Sequence, residues 1–325
     1  MREVVFLRKN EKKWRQAEQA LQKPGNVHPD MLAELFIELS DDLAYAQTNY
    51  PESNTTVYLN GLLAELYQAI YHRRKGDRNR FVQFWMYDLP LEFRRSHRFF
   101  LYSFLIFFVS VLIGVVSTAY DDSFPRIVLG DAYVNQTLEN IDKGDPLAIY
   151  KSPDAGNMWF DITLNNIKVS FIAFVSGLIF MAGTVTVLFK NGVMLGSFQW
   201  FFKDAGHFQE SLLTIWIHGT IEISAIIIAG AAGILLGYSF MFPGTYSRKI
   251  ALIKGAKRGV NIITGLIPLF IVAGFLESYF TRHTEWHWSL RLLIILLSLL
   301  FVLYYFVIRP IQLERGMKNK SNQNT

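Results

Sequence analysis

The chain has no cysteine among its 325 residues. That excludes disulfide frameworks, thiol nucleophiles, iron–sulfur clusters and cysteine zinc sites together, and leaves either redox compartment open. Charge is scarce as well. Only 18% of residues are charged against 51% hydrophobic, where about 25% charged is usual for a soluble domain. No GxxxxGK[ST], GxSxG, HExxH or GxGxxG pattern occurs, so the chain has no nucleotide-binding loop, serine elbow or zincin helix of its own. Disorder is excluded by what is plentiful: 27 Phe, 15 Tyr and 7 Trp are far too many for an unfolded segment.

Long apolar runs take the place of charge. Residues 99–120, 169–189, 260–276 and 292–308 contain no charged side chain, and 211–246 holds only His218 and Glu222. About 20 apolar residues cross a bilayer core as a helix, and the first run starts too deep in the chain to be a cleavable signal. A shorter charge-free run, 191–202, is followed by Lys203, Asp204, His207 and Glu210. It either crosses with its charged end among the headgroups or re-enters on one side. Basic residues arbitrate. Arg73, Arg74, Lys75, Arg78, Arg80, Arg94, Arg95 and Arg98 precede the first run. Arg248, Lys249, Lys254, Lys257 and Arg258 follow the fourth, and Arg309, Arg315, Lys318 and Lys320 follow the last. All three clusters share one side only if the short run crosses. The expected fold class is therefore all-α, a polytopic membrane protein with six spans. They lie at about 99–120, 165–189, 191–208, 211–239, 259–280 and 289–309, with both termini cytoplasmic and a tail at 311–325. The net charge of +5 then faces membrane lipid headgroups, and no nucleic-acid partner is needed to explain it.

Three further regions stand out. Residues 1–80 carry helical spacings: Trp14, Ala17, Leu21; Leu32, Leu35, Phe36, Leu39, Leu43; Leu59, Leu62, Leu63, Leu66, Ile70. Pro24-Gly25 and Tyr50-Pro51 punctuate them. This predicts a bundle of two or three helices, either a docking surface or a stabilising cap. Residues 81–98 run from aromatic to basic and suit an interfacial amphipathic helix, of the kind that precedes the first span in several permeases, or simply an aromatic belt with arginine anchors. Residues 121–160 are long for a connector and predict a small helical element on the outer face, a lid or a partner surface. It includes a sequon at Asn135.

The candidate site lies in the fourth run. His218 and Glu222 are one helical turn apart and share a face. Gly219 adjoins that face, and Ala225, Ala229, Gly233 and Gly237 extend it as a small-residue packing stripe. A carboxylate at membrane depth has to be paired, protonated or wetted, so this face points into protein or a cavity. Glu277 reaches a similar depth in the fifth span, where Asn261, Gly265 and Pro268 suggest a kinked, polar-tolerant helix. The cluster of His218, Glu222, Glu277 and Asn261 could carry protons or an ion. It could equally be hydrogen-bonding glue between helices, within the chain or across a homodimer. His283 and His287 suit interfacial anchoring better than metal binding. No catalytic set, cofactor site or metal site is expected.

The run HGTIEISAIIIAGAAGILLG resembles the signature of the stage II sporulation protein M family. The segment from Asn191-Gly192 to Gly196, read as a turn before the fourth span, is similar to a second hallmark. Asn165, Ile167, Val169, Phe171, Phe174 and Gly177, and the stretch from Ala273 to Glu277, match too. Trp14, Asp42-Leu43-Ala44 and Tyr58-Leu59-Asn60 resemble the long, non-sporulation members. The resemblance implies a multi-pass bacterial inner-membrane protein with no established enzymatic activity. In spore formers it holds a peptidoglycan-remodelling complex of a lytic transglycosylase and an amidase/endopeptidase. In other bacteria its relatives are encoded beside a MoxR-type ATPase. The expectation is a non-enzymatic scaffold that organises membrane or envelope proteins. The alternative is a permease-like subunit working with a separate ATPase.

Overall fold

A computed structural model of the chain describes residues 2–22, 29–72, 77–151 and 154–323. Pro24-Gly25 and Arg73, Arg74 and Lys75 lie outside the described residues, as do the side chains of Ile70, Arg78, Lys318 and Lys320. Among the described residues there are helices and turns and no strand. Contacts divide the chain into two units, Met1–Gln83 and Phe84–Thr325.

The first unit contains α1 (Glu3–Gln22), α2 (Pro29–Asn49), α3 (Asn54–His72) and the short α4 (Asp77–Gln83). Its core is the i, i+3, i+4 faces of the three long helices: Phe6, Trp14 and Ala17; Leu32, Leu35, Leu39 and Leu43; Leu59, Leu62 and Leu66. The Trp14 indole donates to Asp42 Oδ2 at 2.8 Å, and Lys13 pairs with the same carboxylate at 2.6 Å. Asp42 thus ties α1 to α2. At the start of α3, the Ser53 and Thr55 hydroxyls both donate to Glu3. These two bonds hold the Glu3 carboxyl below its usual range.

The second unit begins with a π turn, Phe84–Asp88, and α5 (Leu89–Tyr120). Residues 89–98 are the first turns of α5, so the separate interfacial helix expected at 81–98 is not what forms. Pro90, in the first turn, needs no backbone N–H there. Leu89 packs on Gly265, and Glu92 is buried against Arg258 at 2.6 Å with Ser96 bridging the pair. Further along, α5 is inside-out relative to a soluble helix. Ser103, Phe107, Ser110, Gly114 and Thr118 face inward, while Leu105, Phe108, Val109 and Leu112 are about half exposed. Apolar side chains outside and small polar ones inside are the arrangement lipid favours.

After Tyr120 the chain turns back through α6 (Phe124–Leu129) and α7 (Asp131–Asp142) to a 3-10 turn at Ala148–Tyr150. Val128 and Leu129 descend beside α9. Leu147 seals this segment on Phe198, Phe202 and Ile215. The sequon is part of α7, with Thr137 fully buried.

The next two helices differ from the expected boundaries. α8 (Ala155–Val175) is capped by Asp154, whose carboxylate accepts the Asn157 N–H at 3.0 Å. The chain then turns at 176–181, and α9 runs from Ala182 to Asp204. The apolar run 169–189, read as one span, straddles a hairpin. Phe180 and Met181 take left-handed φ values of 47° and 65° to make it, and Thr184 donates across it to the Ala173 carbonyl at 2.6 Å. Lys190, which looked like a boundary, is exposed in the middle of α9. Asn191, Gly192 and Gly196 therefore form no turn. The two glycines lie where α5 crosses, with Phe107, Ser110 and Val111 too close for a Cβ.

α10 (Phe208–Met241) is the central helix, packed by α5, α8, α9, α11 (Arg248–Phe275) and α12 (Trp288–Leu303). Ser247 caps α11, which runs through Pro268 into a π turn at Leu276–Phe280. α12 leads through a third π turn, Tyr304–Ile308, to α13 (Arg309–Gln323), where Glu314 pairs with Arg94 at 2.5 Å. Contact residues fix the directions. Gly192 and Gly196 meet successive turns of α5, so α5 and α9 are parallel. Gly230 and Gly233 meet Leu188 and Thr184, so α9 and α10 are antiparallel. Gly255 meets Ser239 while His218 meets Thr281, so α10 and α11 are antiparallel as well. Among the described residues, four helical runs are long and apolar enough to cross a membrane: Arg80–Tyr120, Phe208–Met241, Arg248–Phe280 and Trp288–Met317. α8 and α9, with 21 and 23 residues, have the length but carry Asp161, Asn165, Asn166 and Lys168, and Lys190, Asn191 and Gln199.

Candidate functional site

His218 and Glu222 stand one turn apart on α10 and point at the end of α11. There the wide turn Leu276–Phe280 projects Glu277 and Thr281 toward them; such π turns often mark functional sites. The Thr281 backbone N–H and its hydroxyl both donate to the Leu276 carbonyl, at 2.9 and 3.2 Å. His218 Nδ1 lies 2.9 Å from Thr281 Oγ1. On the other side of the ring, Nε2 faces Glu277 Oε2 at 3.8 Å. One donor atom from each of His218, Glu222 and Glu277 lies within 4.8 Å of the other two. The group can share a proton or a cation.

Two residues from other elements complete the surroundings. Asn166 of α8 is buried and its amide faces the Glu222 carboxylate. Tyr150, at the end of the returning segment, places its ring 6.3 Å from that of His218. Burial, with the Tyr133 phenol beside it, holds the Tyr150 hydroxyl well above its usual range, so it stays protonated. Between them is a cavity of about 330 Å³ lined by Phe107, Val128, Tyr150, Met194, Phe198 and the His218–Glu222–Glu277 group. Gly219 and Asn191 also line it.

The small-residue stripe has a different role from the one expected at a homodimer interface. Ala225 and Ala229 are fully buried within the chain. Gly233 is pressed against Ala173 and Thr184, and Gly237 against Gly177 and Met181. The α8–α9 hairpin covers the stripe, so no second copy can use it. The same packing closes the seam between α10 and the α8–α9 hairpin below the cavity. Asn261 does not join the cluster. It lies sixteen residues before Glu277, about 24 Å along the helix. His283 and His287 do not converge either: His283 bonds Glu285 at 2.7 Å and stacks on Trp286, while His287 caps α12 through the Ser289 N–H.

Thr281, Asn166 and Tyr150 were absent from the sequence-derived cluster. Asn166 had a signal, being a polar residue one turn before Ser170 in an apolar stretch. Thr281 and Tyr150 had none, because a wide turn and a returning loop bring them in.

No curated protein and no solved structure shows a significant match to the chain. Residues 4–72 match a family described as a domain of unknown function (DUF8413). Residues 103–282, more than half of the chain, match the family model of stage II sporulation protein M. The chain belongs to the stage II sporulation protein M family of membrane proteins.

Proposed function

We propose that the protein is a membrane assembly subunit without chemistry of its own. It crosses the bacterial inner membrane six times, with both termini in the cytoplasm, and organises envelope or peptidoglycan-remodelling partners. Six crossings are supported by the alternating directions of α9, α10 and α11, by the hairpin that joins α8 to α9, and by the lengths of α8 and α9, about 31 and 34 Å. The ends bearing Arg94, Arg95 and Arg98, Arg248 and Lys249, and Arg309 then share the cytoplasmic side. The N-terminal unit leaves Val4, Val5, Ile37 and Val57 exposed, a surface for a cytoplasmic partner such as a MoxR-type ATPase.

The observation that carries this reading is the closed lower half of the bundle. Gly177, Gly233 and Gly237 pack backbone against backbone, and a polar path from the cavity to the cytoplasmic end would have to part them. The test is purification from native membranes in mild detergent, with mass spectrometry of what accompanies the chain. Stoichiometric envelope proteins or an ATPase are the expected result. Recovery of the chain alone, together with flux in proteoliposomes that Glu222→Gln alters, would overturn it. One observation favours the permease-like alternative: Glu222 and Glu277 line a cavity instead of closing bonds with each other. The same flux assay decides between the two.

A further inference from the structure

We propose that His218 Nε2 and the carboxylates of Glu222 and Glu277 bind one divalent transition-metal ion of the zinc class. The inference stands apart from the assembly role and holds whichever of the two functions above is correct.

The contacts at Thr281 fit a neutral imidazole. A threonine hydroxyl has one proton. With that proton on the Leu276 carbonyl at 3.2 Å, Thr281 accepts from His218 Nδ1–H at 2.9 Å, which is the tautomer the proposal assigns. The neutral ring then directs its Nε2 lone pair at Glu277. An imidazole lone pair and two carboxylates are all acceptors, and three acceptors converging within 4.8 Å repel one another unless a positive species lies among them. No Lys or Arg lines the cavity.

The spacing favours a metal over a shared proton. A hydrogen bond between Nε2 and a carboxylate would close to about 2.7–2.9 Å. Two donors each about 2.1 Å from a tetrahedral ion stand about 3.4 Å apart. The observed 3.8 Å is nearer the second value, and the three atoms, spread over as much as 4.8 Å, would draw in by up to about 1 Å around an ion. One imidazole and two carboxylates, with no sulfur, form an N/O set suited to zinc and its neighbours.

The surroundings are those of a held ligand set. The bond from Nδ1–H to a fixed oxygen orients the ring, as it does for most metal-binding histidines. Asn166, 6% exposed, turns its amide to Glu222 as the nearest polar group without closing a bond of good geometry, so this buried amide is aimed into the site. Three protein ligands leave a fourth position, and the cavity under Tyr150 gives it room for water.

The experiment uses the full chain without a histidine tag, purified in detergent, stripped with a chelator, reloaded with Zn²⁺ and dialysed. Zinc is counted by elemental mass spectrometry, and Co²⁺ substitution is followed by its visible bands. About one Zn²⁺ per chain is expected, with the intense Co²⁺ bands of a four-coordinate site. Glu222→Gln and Glu277→Gln, which keep shape, should bind Zn²⁺ roughly tenfold or more weakly at an unchanged elution volume. The combined His283→Asn and His287→Asn variant should bind as wild type does. If a ligand variant fails to fold, Thr281→Val replaces it, and weaker binding is expected because the ring loses its anchor. Wild type that retains no Zn²⁺ would overturn the proposal and leave a shared proton in its place. Binding that survives the Glu222, Glu277 and Thr281 variants, or that disappears with His283 and His287, would overturn it as well.

Discussion

Gly233→Ala tests whether the α10 stripe is the seam that closes the bundle. A methyl group at 233 would stand 3.0 Å from Thr184 Cγ2 and closer still to Thr184 Oγ1 and the Ala173 carbonyl oxygen. Two of these neighbours are held by a hydrogen bond of 2.6 Å, and one is backbone, so rotating a side chain cannot make room. The α8–α9 hairpin must retreat by on the order of 1 Å to restore ordinary contact. Overpacking of this kind costs about 1–3 kcal/mol, and loss of the Thr184 bond adds about 1 kcal/mol. For a unit of this size, that lowers the melting temperature by roughly 5–15 °C. Gly219→Ala is the control on the same helix. Its nearest neighbours would be Ile223 Cδ1 and Ile215 Cγ2 at 3.6 and 3.8 Å, so the methyl fits, and better helix propensity contributes about 0.5–1 kcal/mol of stability. Both are read by intrinsic tryptophan fluorescence on heating in mild detergent, with the elution volume as a check on assembly. Equal melting temperatures for the two variants would refute the close-packed seam. A Gly233→Ala protein that changed its oligomeric state instead would show that the stripe faces a second copy after all.

Three other perturbations follow from the contacts. Arg258→Ala strands the buried Glu92 carboxylate and should cost about 2 kcal/mol or more, whereas adding Glu92→Gln should recover part of the loss; a double-mutant cycle in the same melting assay measures the coupling, and additive losses would exclude it. The Glu3 carboxyl is held low by the Ser53 and Thr55 hydroxyls. Its contribution is therefore full above the unfolded value of about 4.5 and fades as pH falls through the lower folded value. Acid should raise hydrogen exchange at the start of α3 in wild type, beyond the intrinsic pH effect, and Glu3→Gln should abolish that excess. Asp42→Ala removes the partner of both Trp14 and Lys13 and should weaken the α1–α2 contact by about 1–2 kcal/mol, seen as faster exchange in α2 with α10 unchanged.

How much of this was legible depended on the direction in which information runs. Along one helix, periodicity alone places side chains: His218 and Glu222 share a face of α10, and Ala225 to Gly237 are buried beside it. Composition also picks out the four helical runs that are long and apolar enough to cross a membrane, because lipid demands apolar side chains whatever their neighbours. The turn at 176–181 was invisible for the same reason. Residues 169–189 are apolar on both sides of it, no proline interrupts them, and the left-handed residues are Phe180 and Met181, neither of which announces such a backbone. Asn261 was chosen for its polarity, but polarity carries no depth: Asn166, on another helix, reaches Glu222 instead. Glycines 192 and 196 stand out as a motif that fits a turn as well as a helix crossing, since both select for the missing side chain.

Because the chain lacks cysteine, single introduced cysteines report sidedness without background. The direct test places them at Asp122, Gly219 and Glu285 on one side of the seam and at Thr245 on the other. Each is then exposed to a membrane-impermeant maleimide, first outside intact cells and then on inverted membrane vesicles. The account predicts that Asp122→Cys and Glu285→Cys react only from outside, that Gly219→Cys, buried in the cavity wall, does not react in inverted vesicles, and that Thr245→Cys reacts only in inverted vesicles. Reaction of Gly219→Cys from the cytoplasmic face would contradict the closed seam, and reaction of Thr245→Cys from outside would contradict the six crossings.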